Sequence, residues 1–364
     1  MTEKKPHIKT AAILAAVPAF LTGLFLVLQS CPGFCEFVAE HIGRPYRSIA
    51  GLISSAMPYS VMEALYLIAI IFFVCFIISS VVAAVKSHRR ILTAVTRFLA
   101  LLAVILWIIT LFLYSWAANY RAPGFSEKSG IHPDGCTKEE LYTVANYFAG
   151  RASSLSYEVP RNDKGVFTLP APEIIKDFSV AYSRLTEEFP FLGGRVNKPK
   201  SMLFSKIMSA TGFTGIYFSI TGETNLNTDV PACFLPFTVA HELAHQKGFA
   251  SEQECNFLGV AASESCGDAV YEYSGCLAGL LYTSNALYSA DIEAWYDVMS
   301  QCSPGVISDL SDNNAYWAKW ESPVEEAAES VYDSYLKSQG QELGIKSYGA
   351  CVDLIVEYYI NRVF

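Results

Sequence analysis

The sequence predicts a membrane-anchored protein, with three transmembrane helices at the N-terminus and then a mainly helical α+β domain built around a metal site. Three observations carry this reading. Hydrophobic residues are 52% of the 364 and charged ones 17%, with a mean hydropathy of +0.29, too apolar for an ordinary soluble protein. The apolar excess falls in three long runs near the N-terminus. Residues 241–245 read His-Glu-Leu-Ala-His inside a stretch with helical amphipathicity.

The runs cover residues 10–29, 59–85 and 92–118, the last interrupted only by Arg97. Each is long enough to cross a hydrocarbon core of roughly 30 Å as a helix. Lys4, Lys5 and Lys9 precede the first run, and Lys86, His88, Arg89 and Arg90 fill the gap between the second and third. Basic flanks stay on the cytoplasmic side. The N-terminus is therefore expected in the cytoplasm, and everything after the third span outside it, in a multi-pass protein of the cytoplasmic membrane. A cleaved signal peptide, or a lipoprotein box at Leu28-Gln29-Ser30-Cys31, is the weaker reading of the first run. The expected division is a membrane anchor over 1–118 and an extracytoplasmic domain over 119–364.

The loop between the first two spans should hold helical turns near 37–42 and 48–55. Residues 119–134 have linker composition, and Thr137 to Glu140 form a capping box opening a helix. Residues 161–169 read as a turn. Residues 172–189 carry Ile175, Phe178, Ala181, Tyr182 and Leu185 on one helical stripe. Residues 213–221, β-branched and aromatic between Gly212 and Gly222, read as a strand, and 222–227 as a polar loop rimming the site. After the metal motif, helices are expected over 252–264, 268–288, 292–301, 325–339 and 347–360, with a turn at Ser303-Pro304-Gly305.

The chemistry is concentrated in residues 237–260. On a helix His241 and His245 stack four apart on one face, where one Zn²⁺ takes both imidazoles. Glu242, one step round, suits a base that acts on water without being a ligand. Pro236 fits the first turn of that helix, and Gly248 ends it with a left-handed residue that turns the chain back. The third ligand is sought among carboxylates just beyond. Glu252 is preferred and Glu254 is the alternative, because Ser251 and Glu254 also match an N-capping box; Glu264, Asp268 and Glu272 stand further out. His41 and His132 lie in no second metal pattern. Asn256, one turn past Glu252, is placed to brace a ligand. Tyr273 is the expected donor to an oxyanion. The ten cysteines show no C-x-x-C spacing, which argues against a thiolate zinc site. The net charge of −9 disfavours a nucleic-acid partner.

The run HELAHQKGFASEQECN (241–256), preceded by FTGIYFSITGETNLN and LPFT and followed by YDSYLKSQGQELGIKSYG, resembles a family of bacterial three-pass membrane proteins catalogued as domain of unknown function 3810. That family usually has Ala where this chain has Cys255. The Glu252-x-x-x-Asn256 spacing is also similar to the E-x-x-x-D ligand segment of membrane-bound gluzincin peptidases, although there the segment lies much further from its H-E-x-x-H. The resemblance implies the three-span architecture and the motif; the family name itself supplies no activity.

The expected function is a zincin-like metallopeptidase. His241, His245 and Glu252 hold Zn²⁺, Glu242 activates water, and the substrates are peptides or proteins at the cell envelope beside the lipid bilayer. An exposed strand at 213–221 would pair with an extended substrate, unless it is only a core strand. The alternative is a non-catalytic membrane receptor or assembly factor retaining the metal site. An intramembrane protease is disfavoured, because Lys247, Glu252 and Glu254 crowd the motif and no bilayer-length apolar run surrounds it.

Overall fold

The computed structural model describes residues 7–31, 33–341, 344 and 347–363. Lys4 and Lys5, used above for orientation, lie outside them, as do positions 342, 343, 345 and 346 of the C-terminal motif. The chain divides into two units. One comprises Met1–Ala50, Val61–Ala122 and Ser219–Thr221, the other Gly51–Ser60, Pro123–Phe218 and Gly222–Phe364.

The first unit holds three helices long and apolar enough to cross a membrane: α1 (Ile8–Leu28), α2 (Val61–Lys86) and α3 (Arg90–Ser115). The third stops three residues short of the expected 118, because Ala117–Tyr120 tightens into a 3-10 turn. α1 packs on α3 through hydroxyls. Thr110 Oγ1 donates to the Pro18 carbonyl at 3.1 Å and lies 2.9 Å from Thr22 Oγ1; Tyr114 donates to the Leu21 carbonyl at 3.1 Å. In hydrocarbon such side chains must find partners within the protein, and between helices they act as adhesive. The loop after α1 is more helical than expected. Phe34–Val38 passes through a π turn at Ala39–Gly43 into Arg44–Ser54. Pro45, which cannot donate to a helix ladder, follows directly on the π turn.

In the second unit, α4 (Lys138–Leu155) starts at the expected capping box: Glu140 N donates to Thr137 Oγ1 at 3.2 Å and Thr137 N to Glu140 Oε2 at 2.8 Å. The helix expected over 172–189 is instead broken into Ala171–Lys176, a 3-10 turn Phe178–Val180, and Leu185–Glu188. Ser183 Oγ donates to the Val180 carbonyl at 2.8 Å, local bonding that competes with a continuous helix. Ile175, Ala181, Tyr182 and Leu185 are nevertheless buried.

A small sheet follows, β1 (Lys200–Ser201), β2 (Gly215–Phe218) and β3 (Glu223–Leu226), in the order β1-β3-β2. The strand expected at 213–221 exists as β2, antiparallel to β3 and at the sheet's edge. The polar loop expected at 222–227 is a correction: Glu223 to Leu226 form the central, wholly buried strand. Distant partners bond to Glu223 and Thr224 of this strand and to Asn227 beyond it. Lys200 pairs with Glu223, Gln246 Nε2 donates to Thr224 Oγ1 at 2.9 Å, and just past the strand Asn227 Nδ2 donates to the Phe213 carbonyl at 2.9 Å.

The remainder is helical: α5 (Leu235–Lys247), α6 (Glu252–Ser265), α7 (Ala269–Ala290), α8 (Ile292–Ser300), α9 (Pro304–Trp317), α10 (Pro323–Ser338) and α11 (Ser347–Val363). α9 replaces the expected turn. Ser303 caps it by accepting from Val306 N at 3.3 Å, and Pro304 occupies the first turn, where its missing N–H costs nothing. α6 is the hub, packed against α5, α7 and α11, and Cys255 through Ser263 are buried. None of the ten cysteines is joined in a disulfide.

Candidate metal centre

α5 carries Pro236 in its first turn and ends at Gly248, whose φ of 105° is left-handed. Gly248 N and Phe249 N close the helix onto the His245 and Ala244 carbonyls, at 3.0 and 3.2 Å. This turn reverses the chain within four residues, so α6 begins at Glu252 and runs back along α5. Close packing of the two helices needs Gly259: a Cβ there would stand 2.8 Å from the Phe237 ring and 3.3 Å from His241 Cβ.

The result is a buried cluster of His241, His245 and Glu252. His241 Nε2 lies 3.3 Å from Glu252 Oε2, and His245 Nε2 lies 3.6 Å from Glu252 Oε1. Around one metal with tetrahedral bonds of about 2.0–2.1 Å, neighbouring ligand atoms are separated by roughly 3.3–3.4 Å. The donors thus already stand close to ligand spacing. His245 Nδ1 is 2.8 Å from the Phe249 carbonyl, which can only accept, so in the neutral ring the proton sits on Nδ1 and the Nε2 lone pair faces the cluster. Tyr332 donates to Glu252 Oε1 at 2.6 Å.

Several atoms here are left over. Glu252 Oε2, Glu242 Oε2 and Asn256 Nδ2 are buried without a hydrogen-bond partner. Such orphans are rare in folded proteins, and each calls for a reason. Two imidazoles and a carboxylate, buried with their donor atoms within 4.8 Å of one another, fit a divalent metal. Glu242 sits against β2, where a Cβ on Gly215 would come within 2.6 Å of Glu242 Oε1, so only glycine allows the strand this close.

Electrostatics separates the two carboxyls. Burial works against the Glu252 charge, yet His245 and His241 beside it hold its pKa well below the usual carboxylate range. Burial pushes Glu242 upward, with the two imidazoles only partly opposing it. For His245 burial opposes the charged form, but Cys255 and Glu252 raise its pKa well above the usual imidazole value. Burial pushes the Cys255 thiol up to about 12, so it is protonated at neutral pH and Glu252 supplies the effective charge.

The other candidates are placed elsewhere. Glu254 does not form the expected box with Ser251, whose side chain makes no capping bond. It instead accepts from Ser126 N at 3.1 Å, at the start of the helix Phe125–Ser129. Glu264 accepts from Tyr147 and Tyr359, Asp268 caps α7, and Glu272 pairs with Arg151 at 3.2 Å. His41 packs against the Phe37 ring in a tilted pair, and His132 is exposed. Tyr273 makes its bonds elsewhere. Its hydroxyl donates to Asp309 and accepts from Arg161 Nη2 at 3.0 Å, which ties it into a polar knot with those two residues. The bracing expected of Asn256 is supplied by Tyr332. Sequence reasoning missed that residue because it lies 80 positions from Glu252, although it opens the YDSYLK stretch of the resemblance.

With helix order and site established, comparison places the chain in a family. The profile described as "Protein of unknown function (DUF3810)" matches residues 40–356, so this chain belongs to that family. No curated protein and no solved structure matches it.

Proposed function

We propose that the chain is a zincin-like, zinc-dependent peptidase. It is held in the cytoplasmic membrane by α1–α3, with its N-terminus inside and its metal centre outside the cytoplasm. His241, His245 and Glu252 would hold the ion. When bound, Zn²⁺ supplies Lewis acidity toward a carbonyl oxygen and acidifies water. Glu242 takes a proton from the attacking water as its oxygen bonds to the scissile carbon. It delivers that proton to the amine nitrogen as the C–N bond breaks, and is thereby regenerated. Burial raises its proton affinity, which suits both halves of that task. The β2 edge offers a backbone along which an extended peptide could lie.

The observation that carries the reading is the unpartnered Glu242 Oε2, buried one helix position from His241 of a three-donor cluster. A purely structural metal site has no use for such a base, which counts against the receptor alternative. The orientation rests on Lys9, Lys86, Arg89 and Arg90 flanking the spans. Glu242→Gln in the full chain is the test. It is expected to keep the bound metal while peptide cleavage falls by at least about a hundredfold, the lower range for loss of a general base. Unchanged cleavage, or full cellular function of the variant, would favour the receptor.

A further inference from the structure

Tyr332 faces two ways. Its hydroxyl holds Glu252, while its ring forms one wall of an open cavity of about 560 Å³. Phe213 meets that ring edge-on with centroids 5.1 Å apart, and Tyr335 stacks on it at 6.1 Å. Ala327, Ala328 and Val331 of α10 complete the lining, and Thr211 adds a methyl-bearing edge. Val331 is 70% exposed, an apolar side chain presented to the cavity mouth.

The two walls are each tied to the metal centre. Phe213 lies two residues before Gly215, the position pressed against Glu242. Tyr332 is bonded directly to Glu252. The cavity therefore opens about one tyrosine side chain from the ligand carboxylate, a span comparable to one or two residues of extended peptide at roughly 3.3 Å each. Its size lies within the usual range for ligand sites, roughly 300–1,000 Å³, and its lining carries no charge.

We infer that this cavity is the specificity pocket of the site and takes a large apolar or aromatic side chain flanking the bond to be cut. The inference rests on the peptidase reading. Leu, Phe or Tyr would bury carbon against Phe213, Val331 and the two tyrosine rings, whereas Asp or Glu would lose hydration without a partner. Ala327 and Ala328 line it, and a larger side chain at 328 would occupy part of it.

The test uses the full chain in detergent, with one peptide frame carrying Phe, Leu, Ala or Asp at a single position. Binding to Glu242→Gln is read by fluorescence anisotropy and cleavage is read with the wild type. The Phe and Leu peptides are expected to bind and react at least about tenfold better than Ala or Asp, within the range of one hydrophobic pocket. Ala328→Trp in either background should flatten that preference with zinc content unchanged. Val331→Asp, at an exposed position, gives the same readout if the tryptophan variant misfolds. Preference in binding without cleavage keeps the pocket and removes the peptidase reading. Cleavage without preference, or equal losses for all four peptides in Ala328→Trp, overturns the pocket and leaves the peptidase. Displacement of the Phe peptide by phosphatidylcholine vesicles but not by excess Phe peptide would assign the cavity to lipid and overturn the inference. No binding and no cleavage overturns both.

Discussion

Two buried polar clusters of the second unit are built from similar parts and finished differently. Around Asp309 every oxygen is used. Oδ1 accepts from Phe167 N at 2.7 Å, while Oδ2 accepts from Tyr273 and from Arg161 Nη1 at 3.1 Å. Arg161 donates in turn to the carbonyls of Ser156, Gly165 and Gly305. Around Glu252 the bonding stops halfway: Tyr332 satisfies one oxygen, the other has only the His241 ring 3.3 Å away, and Glu242 Oε2 has no hydrogen-bond partner. A saturated network fixes a fold; buried donors and acceptors left over mark a place where something else binds.

The contrast is sharpest in stability. Asp309→Ala should destabilise the second unit by about 3 kcal/mol, because Arg161 is left mostly buried without its counter-charge. Its melting temperature should fall clearly while zinc per folded chain stays the same. An Asp309→Ala protein that folds normally but loses zinc would erase the distinction between the clusters.

Next in size is the hydroxyl that braces the ligand. Tyr332→Phe should weaken zinc binding by about 10- to 100-fold in a chelator competition, the usual effect of losing a partner behind a metal ligand. An unchanged affinity would mean that the Tyr332 bond to Glu252 does not orient the site.

Protons and metal should compete. His245 binds its proton more tightly than an ordinary imidazole, and a ligand must give that proton up. Below its raised pKa, zinc affinity should therefore fall as pH falls, by about tenfold per unit for one displaced proton. Titrations at pH 6, 7 and 8 would reveal this, and a flat profile would show that no proton leaves. Glu252→Gln without metal should lower the melting temperature of the second unit, because it removes the carboxylate that the His241 and His245 rings face across the buried cluster. An unchanged or raised melting temperature would show that the rings carry no charge there.

What could be read from sequence was local. The spans follow from run length, and Pro236, His241, His245, Gly248 and Glu252 follow from helical spacing and one turn. What could not be read depends on contacts across the chain. Glu254 fits a capping box three residues long, yet it serves Ser126, 128 positions away. The polar strand Glu223–Leu226 looks like a loop until Lys200 and Gln246 are set beside it. Tyr273 has the right chemistry for an active site, but Asp309 and Arg161 occupy its hydroxyl.

The most direct test is metal analysis of the purified full-length chain beside Glu252→Ala and Glu254→Ala. The site predicts about one zinc per wild-type chain, retained in Glu254→Ala and lost in Glu252→Ala. Folded wild-type protein that takes up no zinc after incubation with the ion, or zinc that survives Glu252→Ala, would contradict it.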